Sequence, residues 1–306
     1  MIGYHETDQN QPSITVDRPD QCLTVQRCHG LGNIICLLPV LDSLYENGCA
    51  INVITQSDWI SAFSILRPDF TWSAAADSAD NFETIDLDDL TRHSSPREHR
   101  TDEFGRLLAV DPPFPPPSLS VPESWTQPFE ILRDAYVFAP EGGHPSRTWP
   151  TDQAALLKNQ LADINSPAKL VLVGTDPEPV IPCDVDTRGQ LQLPELIGIL
   201  AVAGVVVTMD SAVLHIAAAL RTPTVAIFGG VDHGYRIRPE QPVVVIQTQM
   251  PCCPCNKQET CAESFNCIRS VTPEDVDRAI QLAHMIDARI IYQLPNPTEE
   301  SLSQIV

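Results

Sequence analysis

The sequence has 306 residues, of which 43% are hydrophobic and 19% are charged, so it is long enough for about two domains with sizeable cores. Its formal net charge of -21 repels phosphate backbones, which argues against a nucleic-acid partner. No apolar stretch reaches the roughly 18 residues that span a bilayer, and the N-terminal residues lack the pattern of a signal peptide. We therefore expect a cytoplasmic protein that has no transmembrane segment.

The first half of the chain begins with the pattern of a βαβ unit. Gln21–Gln26 and Ile51–Thr55 are short apolar segments, and between them apolar residues recur at helical spacing from Ile34 onward. Such a unit predicts parallel strands joined by a right-handed crossover. A less distinct helix and strand follow at Trp59–Leu66 and Phe82–Leu87.

The second half is predicted to contain another α/β unit. It follows the proline-dense segment Asp111–Ser124, which cannot form a helix or a central strand. Continuous apolar strands then alternate with helices, as is typical of a parallel sheet covered on both faces. The predicted strands are Ala135–Pro140, Lys169–Gly174, Gly204–Asp210 and Pro223–Gly229, and the predicted helices are Thr151–Asp163, Leu193–Ala203, Ser211–Leu220 and Pro273–Ala288, the last with Thr272 as N-cap.

These patterns predict two Rossmann-like α/β domains whose parallel sheets face a central cleft. We place the first domain at 1–134, with a proline-rich linker at 111–128, and the second at 135–280. The tail, 281–306, is expected to pack back on the first domain. Ligands commonly bind in a cleft between domains, so we look for a site there.

One motif lies where a predicted strand ends and a helix begins. Asp210 and Ser211 occupy this junction, where exposed N–H groups and the helix dipole favour an anion such as a diphosphate. His215 is four residues beyond Ser211, on the same helix face, from which it can donate to a phosphate oxygen. The alternative is an ordinary helix cap with a buried histidine.

The run from Asp210 to Gly229, D-S-A-V-L-H-I-A-A-A-L-R-T-P-T-V-A-I-F-G, resembles a signature of glycosyltransferase family 9, the ADP-heptose:lipopolysaccharide heptosyltransferases. Further segments are similar in the same order: G-L-G-N-I-I-C-L-L-P-V-L from Gly30, R-T-W-P from Arg147 and G-T-D-P-E from Gly174. The resemblance extends over residues 22–280 and is thin between 60 and 130. It implies a GT-B fold and inverting transfer of a sugar, such as a heptose, from a nucleoside-diphosphate sugar to an acceptor hydroxyl, without an organic cofactor.

The resemblance implies that the second domain binds the donor. Asp210, Ser211, Ala212 and His215 would line the diphosphate and sugar, and Ala212 replaces a glycine of the family. Arg147 matches a basic residue that neutralises the diphosphate, although a surface arginine is the alternative.

Two further donor contacts follow from the same resemblance. Gly142 and Gly143 occupy a loop in which the family has hydroxyl-bearing phosphate contacts, so only their backbone N–H groups can serve. Glu178 matches the acid that binds the ribose, and an exposed loop acid is its alternative. ADP-heptose is the expected kind of donor, and a glycan, a lipid-linked sugar or a protein would fit as acceptor.

The sequence departs from the family at Asn33, where the family has the aspartate taken to be the catalytic base. An amide cannot accept the proton of an acceptor hydroxyl. Asn33 would then cap a helix that starts at Ile34, with the base elsewhere. His29 in the same loop has a suitable ordinary pKa, and three acids are alternatives: Asp42, Asp58 and Asp232.

A cysteine-rich loop at 251–267 is the second strong feature. Four thiolates within so short a segment suit tetrahedral iron or zinc, and the cluster resembles that of some family 9 members, including the autotransporter heptosyltransferases, in which it holds iron. We expect a structural metal here, with reduced thiols or disulfides as the alternative. The candidate ligands are Cys252, Cys253, Cys255, Cys261 and Cys267, whereas Cys22, Cys28, Cys36, Cys49 and Cys183 are expected to be small buried residues.

Three other classes of function remain open. A protein that binds a nucleotide sugar without turning it over is favoured by Asn33. A sugar-nucleotide epimerase would change the donor in the absence of an acceptor, and a scaffold organised by the cysteine loop would oligomerise with its metal. The sequence does not decide the oligomeric state.

Overall fold

The computed structural model describes residues 22–75, 84–92, 98–162, 168–255, 261 and 263–296. Three residues at the ends of predicted strands or helices lie outside the described residues: Gln21, Phe82 and Asp163. So do the first part of the predicted first domain, 1–21, and the end of the predicted tail, 297–306.

The first sheet has four parallel strands in the order β3-β2-β1-β4, as the βαβ pattern predicted. Its strands are β1 (Cys22–Gln26), β2 (Ala50–Thr55), β3 (Thr71–Ala74) and β4 (Thr84–Asp86). The helices of this half are α1 (Leu31–Glu46), α2 (Ser57–Leu66), α3 (Leu87–Arg92) and α4 (Arg100–Leu107). Strand β3 was not predicted, because its four residues carry little apolar pattern.

Helix α1 begins three residues earlier than the apolar spacing indicated. Gly30, with a φ of +78°, is its N-cap, so Leu31 is the first helical residue. A positive φ is a conformation that glycine adopts at little cost. The apolar face of α1, which includes Ile34 and Leu37, is buried against the first sheet and the rest of the core.

The second sheet has seven parallel strands in the order β11-β10-β9-β8-β5-β6-β7. Its strands are β5 (Tyr136–Ala139), β6 (Leu170–Leu172), β7 (Val185–Asp186), β8 (Val205–Met209), β9 (Thr224–Phe228), β10 (Val243–Thr248) and β11 (Ile290–Leu294). The helices are α5 (Glu123–Thr126), α6 (Thr151–Ala162), α7 (Leu193–Val202), α8 (Ala212–Leu220), α9 (Asn266–Arg269) and α10 (Pro273–Ala283), the last capped by Thr272 as predicted. The strand order reverses between β5 and β8, and ligands bind to open α/β sheets at such a point.

Two predictions about the connecting segments need correction. The tail does not pack back on the first domain where it is described, because Ile290–Leu294 pairs in parallel with β10 at the edge of the second sheet. This pairing satisfies the backbone groups that β10 would otherwise expose. The proline-dense segment is extended up to Pro122, but its predicted end is helical in α5.

The two halves of the chain pack against each other next to β5 and β8, the strands between which the strand order of the second sheet reverses. Helix α1 packs against α8, and their buried apolar residues belong to one continuous core. Arg238 also forms two hydrogen bonds of 2.7 and 2.8 Å with the carboxylate of Asp102 in α4. In the part of the chain that the structure describes, no helix is both long and apolar enough to cross a membrane.

Candidate functional site

A cavity of about 730 Å³ opens at the carboxyl ends of β5, β6 and β8, with the first turn of α1 on its opposite wall. This volume lies in the range of small-molecule sites. Eight of the predicted site residues line it: Asn33, Gly142, Gly143, Arg147, Asp210, Ser211, Ala212 and His215.

The start of α8 provides the most polar part of the cavity. Ser211 is the N-cap of this helix, and Asp210 just before it is almost fully buried. Arg147 approaches the Asp210 carbonyl at 3.3 Å and its carboxylate at 3.5 Å, and Arg236 lies 3.4 Å from the same carboxylate. Two guanidinium groups therefore lie beside the positive end of a helix dipole, an arrangement that suits an anionic ligand.

The glycine at position 142 allows the loop after β5 to approach this point closely. A Cβ atom on Gly142 would lie 2.6 Å from the Arg147 carbonyl oxygen and 3.0 Å from that of Asp210. Gly143, in contrast, has open space around it but a φ of +79°. Both glycines are thus required by the backbone, one for close approach and the other for conformation.

His215 is half-buried on α8 and faces α1 across the cavity wall. Its Nδ1 atom lies 3.5 Å from the Sγ atom of Cys36. Burial lowers its pKa to about 4, helped by the charges of Arg236, Arg100 and Arg147 and opposed by Asp210. The ring is therefore neutral at pH 7 and presents one N–H group rather than a positive charge.

Two arginines that sequence reasoning missed also line the cavity. Arg100 is the first residue of α4, and Arg236 follows a short 3₁₀ helix, His233–Tyr235. The side chains of both are only 11% exposed. No motif marks either residue, because they reach the cavity only through the packing of α4 and of the loop after β9.

The predicted ribose contact is not where the resemblance placed it. Glu178 is exposed and does not line the cavity, and its backbone N–H donates to Asp176 at 2.9 Å. The same end of the cavity is lined instead by Glu141, Gly174 and Thr175. Burial raises the pKa of Glu141, with a further contribution from the charge of Asp176.

Of the residues considered for the position of the catalytic base, one lines the cavity and the others do not. Asn33 lines the cavity, but it lies in the first turn of α1 and is not the N-cap, which is Gly30. His29 does not line the cavity: its side chain is 79% exposed, and its Nδ1 atom lies 3.3 Å from Asp88. The three alternative acids are also outside the cavity lining: Asp42, Asp58 and Asp232.

The five cysteines of the cysteine-rich loop line one small pocket of their own. All ten cysteines are free thiols, so the disulfide alternative is not realised. A hydrogen bond between Cys253 and Cys267 raises the pKa of the first and lowers that of the second. Within the described ranges, however, no group of three or more His, Cys, Asp or Glu side chains is placed to hold a metal ion. The donor chemistry suits a soft metal, but the arrangement does not fit a ligand shell.

The prediction that the other five cysteines are all buried holds for only two of them. Cys22 is exposed at the start of β1, and Cys28 and Cys183 are half-buried. Cys36 and Cys49 are buried as predicted. Cys22 is the first residue of β1, and the three residues that follow it are buried.

Comparison with known proteins finds one family model that matches part of the chain. Residues 117–265 match the model of glycosyltransferase family 9 (heptosyltransferase). No curated protein sequence matches this chain.

Solved structures give the fold. The chain is similar to the iron-containing dodecameric glycosyltransferase TibC of enterotoxigenic Escherichia coli, with 16% identity, a TM-score of 0.69, and coverage of 87% of this chain and 77% of that one. It is also similar to a family 9 glycosyltransferase of Veillonella parvula, with 14% identity, a TM-score of 0.67, and coverage of 87% and 97%. A third match is the ADP-heptose lipopolysaccharide heptosyltransferase II of E. coli, with 16% identity, a TM-score of 0.61, and coverage of 86% and 98%.

The matched region includes the cavity-lining residues of the second half of the chain, from Gly142 to Arg236. Two parallel sheets, one of four and one of seven strands, match the GT-B architecture of the solved heptosyltransferases. Residues 117–265 carry the likeness to the glycosyltransferase family 9 (heptosyltransferase) model, and the predicted GT-B fold and glycosyltransferase class are confirmed.

Proposed function

We propose that the chain binds a nucleoside-diphosphate sugar, of the ADP-heptose kind, with its diphosphate at the start of α8. The observation that carries this proposal is the convergence of Arg147, Arg236 and the α8 N-terminus around Asp210 in one cavity. Two similar proteins support the choice of donor, because TibC is known in complex with an ADP-heptose and the E. coli heptosyltransferase WaaC with ADP.

The reaction proposed is inverting transfer of the sugar to an acceptor hydroxyl of a glycan, a lipid-linked sugar or a protein. Negative charge accumulates on the diphosphate as the glycosidic bond breaks, and preorganised donors stabilise it most effectively in a site shielded from water. Arg147 and Arg236 supply charge, while neutral His215 supplies a single N–H donor. The acceptor would enter on the side of α1 and Arg100, opposite the second sheet.

The base for this reaction is a carboxylate other than the one the family uses. Asn33 is at the cavity wall but cannot take up a proton. Among the described residues that line the cavity, the carboxylates are Asp210, which faces two arginines, and Glu141, whose pKa is raised. A raised pKa favours Glu141 as the proton acceptor of the two, and because its loop follows β5 of the second sheet, the acceptor hydroxyl would have to reach across the cavity from the side of α1.

A second candidate function is a binding protein that holds a nucleotide sugar without transferring it. The observation in its favour is Asn33 in the cavity together with the exposure of His29 outside it. The two candidates share the donor site and differ only in turnover, so a transfer assay separates them once a donor is known.

The experiment that tests the donor site is calorimetric titration of the wild type with ADP, UDP and GDP. Tight binding of one of them, lost in His215→Ala and kept in His284→Ala, would support the proposal. His284 is a suitable control because it is exposed and lies outside the cavity. Absence of binding by folded wild-type protein to all three would overturn the donor assignment.

A further inference from the structure

The imidazole of His215 packs against the surface of α1 at Gly32 and Cys36. Gly32 and Cys36 are one turn apart on α1, and both contact the ring. A Cβ atom at Gly32 would lie 2.4 Å from Cδ2 of His215, so the ring passes directly over this glycine. The Sγ atom of Cys36 lies 3.5 Å from Nδ1, within hydrogen-bonding distance for sulfur. The side chain is therefore held from the opposite half of the molecule.

Both partners of this contact are neutral at pH 7. Burial raises the pKa of Cys36 to about 12, so its thiol keeps its proton. The pKa of His215 is lowered to about 4, so its ring carries a single proton, on Nδ1 or on Nε2. The groups that surround the ring also include Asp210, Arg100, Arg147 and Arg236, and the three arginines can donate but not accept.

Two hydrogen-bonding arrangements are compatible with a neutral thiol and a neutral ring. In one, the thiol donates to a bare Nδ1; in the other, an Nδ1–H donates to sulfur. Thiol sulfur is a weak acceptor, whereas a bare imidazole nitrogen is a good one, so the first arrangement is favoured. The Cys36 backbone is fixed as well, because its carbonyl accepts a hydrogen bond of 2.8 Å from the Thr101 hydroxyl.

We propose that Cys36 is a positioning residue that fixes His215 in the tautomer with the proton on Nε2, which leaves this N–H as the donor that the ring offers to the cavity. In the other tautomer the ring would present a bare nitrogen, and this would repel a phosphate oxygen. The role of the N–H as a phosphate contact rests on the proposed function, whereas the tautomer itself does not.

The first test is nitrogen-15 NMR of the histidine side chains in the full chain without ligand. The wild type and Cys36→Ser, which retains a hydrogen-bond donor, are expected to show His215 protonated on Nε2. Cys36→Ala is expected to show exchange between the two tautomers, whereas Cys49→Ala, which removes another buried thiol, is expected to match the wild type. A proton on Nδ1 in the wild type, or an unchanged tautomer in Cys36→Ala, would overturn the proposal.

The second test is the affinity for ADP, or for whichever nucleoside diphosphate the wild type binds. A neutral hydrogen bond contributes about 0.5–1.5 kcal/mol, so Cys36→Ala is expected to weaken binding about three- to tenfold. Cys36→Ser should restore it to within about twofold, a rescue that a merely structural role of the thiol would not give. Equal affinity in Cys36→Ala and the wild type would contradict the proposal. If the wild type binds no nucleotide, the proposed function fails, and the NMR result alone decides the role of Cys36.

Discussion

The contact between Gly32 and His215 predicts that Gly32→Ala lowers the free energy of unfolding when His215 is present and raises it when His215 is replaced by alanine. Gly32 lies in the first turn of α1, where replacement of glycine by alanine normally stabilises a helix by about 0.5–1 kcal/mol. The new Cβ would, however, lie 2.4 Å from one ring atom of His215 and 3.1 Å from another. Overpacking of this kind costs about 1–3 kcal/mol. We therefore expect Gly32→Ala to lower the free energy of unfolding in the wild-type background.

The effect of Gly32→Ala on the free energy of unfolding should change sign when the imidazole of His215 is removed. All three atoms nearest to a Cβ at position 32 belong to His215, so His215→Ala opens the space that the methyl group needs. In that background only the helical preference remains, and Gly32→Ala should stabilise by up to about 1 kcal/mol. The double-mutant cycle should give a coupling of about 1–3 kcal/mol, which urea denaturation monitored by circular dichroism can resolve.

A matched cycle with Gly105 shows whether the coupling is specific. Gly105 is also helical, and a Cβ there would lie 2.4 Å from Phe114 rather than from His215. Gly105→Ala and His215→Ala should therefore be additive within about 0.5 kcal/mol. Equal effects of Gly32→Ala with and without the histidine would refute the packing argument and, with it, the placement of the ring against α1.

Three further predictions concern charge and protonation. Arg147→Ala should weaken nucleoside-diphosphate binding by about tenfold or more, since hydrogen bonds to charged groups contribute about 1.5–3 kcal/mol; Arg133→Ala, which removes an exposed partner of Glu130, should not change the calorimetric Kd. Asn33→Asp should raise the rate of sugar transfer in a product assay if the amide limits turnover, and an unchanged rate would point to a base elsewhere in the cavity. Burial lowers the pKa of His99 to about 3 from 6.5, so the folded state binds fewer protons than the unfolded state between these values, and stability falls as pH is lowered through that range. His99→Asn retains a side chain that can cap α4 and should flatten the pH dependence of the denaturation midpoint; an unchanged slope would show that this ring does not titrate on unfolding.

The sequence was sufficient for those parts of the site that depend on local structure. Asp210, Ser211 and His215 were predicted because a strand end, a helix start and a spacing of four residues are encoded by neighbours along the chain. Strands β10 and β11 were not predicted, although β10 is an apolar run, V-V-V-I-Q-T, that directly precedes the cysteine-rich loop.

The missed site residues have a different cause. Arg100 and Arg236 are far apart in the chain, and neither belongs to a pattern of its own. They meet only because α4 packs on α1 and because the loop after β9 turns back toward the start of α8. Local sequence also does not distinguish Glu141 from Glu178, because each follows a buried strand. Only Glu141, in the loop after β5, lines the cavity.

The arginines also explain how a chain with a net charge of -21 could hold the diphosphate that we propose as its ligand. The acidic surface repels anions at long range, but attraction inside a cavity depends on nearby groups, because buried charges are screened less by solvent. Arg147 and Arg236 lie 3.5 and 3.4 Å from the Asp210 carboxylate, longer than the roughly 2.7–2.9 Å of a strong charge-assisted hydrogen bond. Asp210 thus lies between the two guanidinium groups and orients both. A diphosphate carries more charge and more acceptor oxygens than one carboxylate, so it is the better partner for both arginines at once.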